Sequence, residues 1–132
     1  MMSMRTIQRL FWAAGIYGVL VVAPLFAGDG RFSADYPPAV THPEFYYGFA
    51  VTVLGFQILY LVIGFDPPRF RPFMLLGVAC KLGFAAAVAI LYGQDRVAGF
   101  ITTLAAVDAV LAAVFLWAWA QTPAGRAGGE FR

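Results

Sequence analysis

The chain divides into four long apolar runs separated by three short polar intervals. The runs cover Ile7–Ala27, 44–65, 72–92 and 97–120. Each is about the 20 residues that a helix needs to cross the hydrocarbon of a bilayer. The intervals collect the helix breakers: GDGRFSADYPPAVTHP over 28–43, DPPRFR over 66–71 and GQDR over 93–96. Gly, Asp and the pair Pro37-Pro38 predict an extended first loop. The second run is entered through His42-Pro43-Glu44, a proline ahead of the first turn and an acid at the positive end of the helix. Pro72 opens the third run, and Trp117 and Trp119 stand near the end of the fourth as interfacial anchors. Residues 121–132 read as a polar, frayed tail.

Composition turns these runs into membrane spans. Of 132 residues, 61% are hydrophobic and 12% charged. A soluble domain averages about 45–50% apolar and about 25% charged, so lipid is the expected solvent for most of this surface. The length has room for four spans and short loops, hence one integral membrane domain over 1–132. A basic leader with Arg5 and Arg9 before an apolar run also resembles a signal peptide. Leu25 stands where cleavage before Gly28 prefers a small residue, and the run is long for a signal core. An uncleaved first helix is expected.

The basic residues orient the bundle. Arg5, Arg9, Arg69, Arg71, Arg126 and Arg132 fall on one side, and only Arg31 and Arg96 on the other. By the positive-inside rule the first side is cytoplasmic. The predicted fold is therefore all-α: an antiparallel four-helix transmembrane bundle with both termini cytoplasmic, multi-pass in a bacterial inner membrane.

Within that frame Lys81 is anomalous, a charge near the middle of PFMLLGVACKLGFAAAVAILY. At about 1.5 Å of rise per residue, Lys81 lies roughly 13 Å above the inner end of its helix, Asp108 roughly 18 Å and Gln57 roughly 12 Å. An intramembrane charge costs about 2.5–3.5 kcal/mol on insertion scales. Lys81 and Asp108 are therefore expected to pair inside the bundle, with Gln57 close enough to hydrogen-bond. Small residues (Gly77, Cys80, Gly83 and Ala85–Ala87 on one helix, Ala105, Ala109 and Ala113 on the other) are expected to let the backbones approach there. The pair could serve only to fix helix register, or it could orient a ligand head group or relay a proton.

A second grouping stands at the outer edge. His42, Glu44 and Tyr47 are candidates for an outer mouth, with Glu44 paired to Arg96; tyrosines at a membrane edge are also ordinary belt residues. Tyr46, Ala50, Val53, Gln57 and Tyr60 recur at helical spacing and could line a stripe from that mouth toward Lys81. At the inner turn, Arg69 and Arg71 are candidates for anionic lipid head groups, although topology accounts for them equally well.

Several chemistries are disfavoured. A net charge of +2, scattered along the chain, gives no nucleic-acid surface. The single Cys80 excludes an internal disulfide, a CxxC pair and a zinc cluster, and the single His42 argues against bis-histidine haem. No phosphate-binding glycine loop, HExxH or nucleophile elbow is present. An enzyme acting alone is not expected, and no cofactor or metal is called for.

The entry His42-Pro43-Glu44-Phe45-Tyr46-Tyr47-Gly48-Phe49 and the turn Asp66-Pro67-Pro68-Arg69-Phe70-Arg71-Pro72 resemble those of small uncharacterised bacterial inner-membrane proteins. In helix count, loop length and small-residue content the chain is also similar to the DoxX-like group of four-helix membrane proteins. Some members of that group are small subunits of quinone-linked oxidoreductases; no catalytic residue of the group maps onto this sequence. The leading expectation is a non-catalytic membrane protein that binds a lipid or quinone between its helices, through Lys81, Asp108, Gln57, Tyr46 and Tyr60. The alternatives are a structural or assembly subunit of a larger membrane complex and an oligomeric transporter or proton channel.

Overall fold

The apolar runs fold into helices whose ends are set by identifiable groups. The computed structural model describes residues 1–125, and among these it contains helices and no strand. Arg126 and Arg132 lie outside the described residues. Helix α1 covers Met4–Val22, α2 Asp29–Asp35, α3 Pro43–Phe65, α4 Arg71–Gly93 and α5 Gly99–Gln121. Four segments are long and apolar enough to cross a membrane: Met4–Ala27, Pro43–Phe65, Arg71–Gly93 and Gly99–Gln121.

The first helix starts earlier than its apolar run because Ser3 caps it, accepting the Thr6 N–H at 3.2 Å. Pro24 cannot continue the α ladder, so 23–27 tighten into a 3-10 turn. Gly28 then reverses the chain at φ 119°, a left-handed value that glycine adopts without steric cost. The interval that follows is not extended throughout, as its composition suggested. No proline occurs between Asp29 and Asp35, and an acid at the first position favours a helix there. Pro37-Pro38 breaks the helix only beyond Tyr36. Ser33 ties the exit back, donating to the Asp29 carbonyl at 2.7 Å and accepting the Val40 N–H at 2.9 Å.

At the end of α4, Asp95 takes φ 53° while the N–H groups of Asp95 and Arg96 donate to the Tyr92 and Leu91 carbonyls at 3.1 and 2.9 Å. This is a Schellman termination. The chain needs 96–98 to leave it, so α5 begins at Gly99 rather than Val97. Thr122, expected in a frayed tail, is buried and donates through Oγ1 to the Ala118 carbonyl at 2.7 Å.

Helix α1 packs along α3, and α4 along α5; α3 and α4 meet over a shorter length. Glycines make the first seam close. A Cβ on Gly15 would lie 2.7 Å from Leu61 Cδ2 and 2.9 Å from the Gln57 carbonyl, and one on Gly64 would enter the Trp12 indole. The two pairs join through Phe11, Tyr60, Met74 and Phe115, all fully buried. The Phe11 and Phe115 rings stack at 4.5 Å, and Tyr60 meets Phe115 edge-on at 5.0 Å. Every residue of this core belongs to the first two-thirds of α1, the end of α3, the start of α4 or the second half of α5. The shared core thus occupies one end of the bundle. Lys81 and Asp108 stand at its edge.

The opposite end is tied by aromatic side chains on α2 and at its C-terminal cap, Tyr36. Phe32 lies 5.2 Å from Tyr46 of α3 and 5.2 Å from Tyr36, which stacks at 5.6 Å on Phe100 of α5.

Candidate functional site

Lys81 and Asp108 face each other across the α4–α5 seam. Lys81 Nζ donates to Asp108 Oδ1 at 2.6 Å. The ammonium also lies over two rings, 5.3 Å from the Tyr60 centroid and 6.0 Å from that of Phe115, within cation–π range. Gly77 makes room for this stack: a Cβ there would sit 2.9 Å from Tyr60 Cε1. The side chain of Lys81 is only 7% exposed, that of Asp108 24%.

Two open apolar grooves run along the same helices, and neither is lined by Lys81 or Asp108 themselves. One, of about 220 Å³, runs between α1 and α5 and is lined by Leu10, Ala13, Ala14, Tyr17, Val107 and Leu111. Val107 and Leu111 are neighbours of Asp108 along α5. The other, of about 300 Å³, lies between α4 and α5, from Tyr92 and Thr102 to Ala85 and Ala109. Ala85 is one turn from Lys81 and Ala109 adjoins Asp108, so this groove ends at the level of the pair.

Gln57 is not a partner of the pair. It is 95% buried, but its amide donates to the Val53 carbonyl on its own helix at 2.9 Å, and its side chain lies against Gly18 of α1. An i→i−4 back-bond is available to a glutamine in any helix, and this face of α3 turns toward α1 rather than α4. Gly83 and Ala113 likewise face away: nothing lies within 4 Å of a Cβ on Gly83, and Ala113 is exposed. The stripe Tyr46, Ala50, Val53, Gln57 and Tyr60 is an inward face of α3, with Ala50, Gln57 and Tyr60 buried and Tyr46 and Val53 half-buried. Its upper part packs against α1 and the turn after it, and only Tyr60 reaches Lys81.

The outer cluster is wired differently from expectation. Glu44 pairs with His42 (Nδ1 to Oε1, 3.2 Å), and Arg96 Nη1 donates to Gln94 Oε1 at 3.1 Å. Short local partners two residues away replace the expected Glu44–Arg96 link. Tyr46 donates to the Leu25 carbonyl at 2.8 Å; Tyr47 donates to Asp29 Oδ1 at 3.1 Å and accepts the Asp29 N–H at 3.3 Å. These tyrosines staple the first interval onto α3. At the other end, Arg71 Nε donates to the Trp119 carbonyl at 3.2 Å with its guanidinium 4.3 Å above that indole, while Arg69 lies 5.5 Å over Phe70. Arg71 thereby joins α4 to α5.

Two members of the site were missed in the sequence, Tyr17 and Phe115. Tyr17 was within reach of the depth argument: ten residues into the first apolar run places it roughly 15 Å above the inner end, the level of Lys81 and Asp108. Phe115 had no such signal, being one phenylalanine among many. Compared with protein-family models, curated proteins and solved structures, the chain matches none. The class that the structure defines is a helical bundle with four helices long and apolar enough to cross a membrane.

Proposed function

We propose that this chain is a multi-pass protein of a bacterial inner membrane that holds an apolar or amphipathic molecule, a lipid or a quinone, against Lys81 and Asp108 without acting on it chemically. One observation carries the reading: an ion pair 2.6 Å long at the edge of the core, one partner partly open, on helices that also border two apolar grooves. Apolar grooves with a few convergent polar groups are the usual form of small-molecule sites, and ionisable groups at membrane depth are functional candidates by default. In this reading the long helices run antiparallel with both termini cytoplasmic. Gln8, near the start of α1, donates to the Phe65 carbonyl at the end of α3, and Arg71 reaches Trp119, both in keeping with that layout. The likeness to the DoxX-like group enters here as a proposal of the same kind.

The test is mass spectrometry of what stays bound after gentle extraction. A lipid or quinone should accompany the wild-type protein in fixed ratio, and Lys81→Met should retain several-fold less while inserting normally. Equal retention would make the pair purely structural.

A second reading, a structural subunit of a larger membrane complex, draws on one further observation. Only 17–28% of each span's most apolar window is buried, which leaves large apolar faces for lipid or for a partner. A stoichiometric protein in a native pull-down, with no bound small molecule, would favour it.

A further inference from the structure

The polar contacts between helices divide the chain into two units. Within residues 1–65, Gln8 donates to the Phe65 carbonyl at one end of the α1–α3 seam and Tyr46 to the Leu25 carbonyl at the other. Within residues 71–125, Arg71 donates to the Trp119 carbonyl, Thr122 Oγ1 lies 4.0 Å from Met74 Sδ, and Lys81 pairs with Asp108. Among the described residues, no hydrogen bond or ion pair joins 1–65 to 71–125. What crosses between the units is aromatic and gathered at one end. Phe11 and Tyr60 meet Phe115, and the Tyr60 ring also packs against Gly77 and faces the Lys81 ammonium. At the end that carries α2, Tyr36 stacked on Phe100 is the ring pair that crosses, and both rings are exposed. Where α1 passes α5 the seam is not filled: a groove of about 220 Å³ lies there, with Ala13, Ala14 and Val107 in its wall.

We propose that the bundle opens at the α2 end, by rotation of the α1–α3 unit against the α4–α5 unit about the aromatic core, with the Tyr36–Phe100 stack as its latch. The motion goes beyond the binding reading and needs no ligand. In a bilayer, acyl chains are as apolar as the side chains they would replace, so an apolar seam parts with little resistance. Lipid cannot replace the hydrogen bonds inside each unit, whose polar groups would be left unpaired in hydrocarbon. The plane of parting therefore runs between the units and through neither. The core end is the pivot. Phe11, Tyr60 and Phe115 are fully buried there, and Phe70, in the turn that connects the units, packs on the same core. The chain connection thus does not oppose separation at the far end, as in hinged domains that turn about a few connecting residues. Helix α2 is placed to be the latch because it is fixed to one unit and touches the other. Tyr47 and Tyr46 hold its Asp29 and Phe32 on α3, while Tyr36 lies on Phe100 at the start of α5.

The experiment places spin-label pairs on the full chain with Cys80→Ala, in nanodiscs of phosphatidylcholine and phosphatidylglycerol, and reads distances by pulsed double electron resonance. Val51→Cys with Ile90→Cys spans the two units at the α2 end, and Arg9→Cys with Leu116→Cys spans them at the core end. Leu20→Cys with Val51→Cys, and Ile90→Cys with Thr103→Cys, report within each unit. All of these positions are exposed. The Val51–Ile90 pair is expected to show a minor longer distance, whose share Phe100→Ala raises about two- to tenfold, the factor that an aromatic pair is worth. Tyr36→Ala removes the stack from the other side and should do the same, whereas Phe100→Tyr should keep the wild-type share. The remaining pairs should each keep one unchanged distance. A Val51–Ile90 distribution that neither alanine variant alters overturns the latch. A longer Arg9–Leu116 distance appearing with the opening overturns the pivot, and a shift within either unit in both alanine variants overturns the division into two units. No ligand enters the measurement, so these outcomes are independent of the mass-spectrometric test of binding.

Discussion

Lys81 and Asp108 illustrate how unevenly a buried ion pair responds to change. Removing one partner strands the other, which typically costs about 3–5 kcal/mol, whereas replacing both by apolar side chains is often neutral or stabilising. Asp108→Leu should therefore lower the unfolding free energy in a detergent titration by about 3–5 kcal/mol, and adding Lys81→Met should restore most of it. Two single variants that simply add would show that the charges do not interact. Glycine makes a second contrast at this scale. Gly15→Val must displace Leu61 or the Gln57 carbonyl and should cost about 1–3 kcal/mol. Gly55, with nothing within 4 Å of an added Cβ, should accept alanine with no loss and a gain of up to about 1 kcal/mol. Thermal midpoints in one mild detergent would compare them, and equal midpoints would contradict the glycine seam. The pairing of Lys81 with a partner on the next helix was legible because two rare charges shared a depth. The direction of Gln57 was not, since an amide at the right level can satisfy itself on its own helix.

At the scale of elements, the short helix α2 is the part least visible in composition. It is held by side chains from elsewhere: Tyr46 and Phe100 grip Phe32 and Tyr36, and Tyr47 grips Asp29. Phe100→Ala should release its far end. Amide hydrogen exchange over 29–40 should speed up several-fold while α3 and α5 keep their protection; unchanged exchange would mean that the Tyr36–Phe100 stack contributes nothing. The end of α4 makes an independent prediction. Asp95 sits in the left-handed region, where short polar residues are tolerated and a β-branched one is strained. Asp95→Val should cost about 1–2 kcal/mol, read as a lowered midpoint, and Asp95→Gly should not. Both turn positions were visible as breakers in the sequence, but which breaker takes the left-handed role depends on where the preceding helix spends its last carbonyls.

For the whole molecule, two helix pairs share a core at one end and an aromatic tie at the other, and the candidate site lies where the shared core stops. The proposed topology is tested by cysteine labelling in a Cys80→Ala background. Asp66→Cys, in the turn before α4, should react only from the cytoplasmic face, and Gln94→Cys, after α4, only from the opposite one. Labelling of both from one side would overturn the layout.

The sequence by itself determined the number, length and approximate ends of the long helices, because lipid demands about 20 apolar residues per crossing and proline, glycine and aspartate mark the turns. It also singled out Lys81 and Asp108, since a charge in an apolar run is costly enough to be conspicuous. Only the tertiary structure decided that α1 seats on α3 through Gly15 and Gly64, that Gln57 turns away while Tyr60 and Phe115 take its place, and that Tyr17 borders a groove between α1 and α5. Side-chain partners across helices follow from rotation about each axis. In spans that are apolar all round, no amphipathic stripe encodes that rotation.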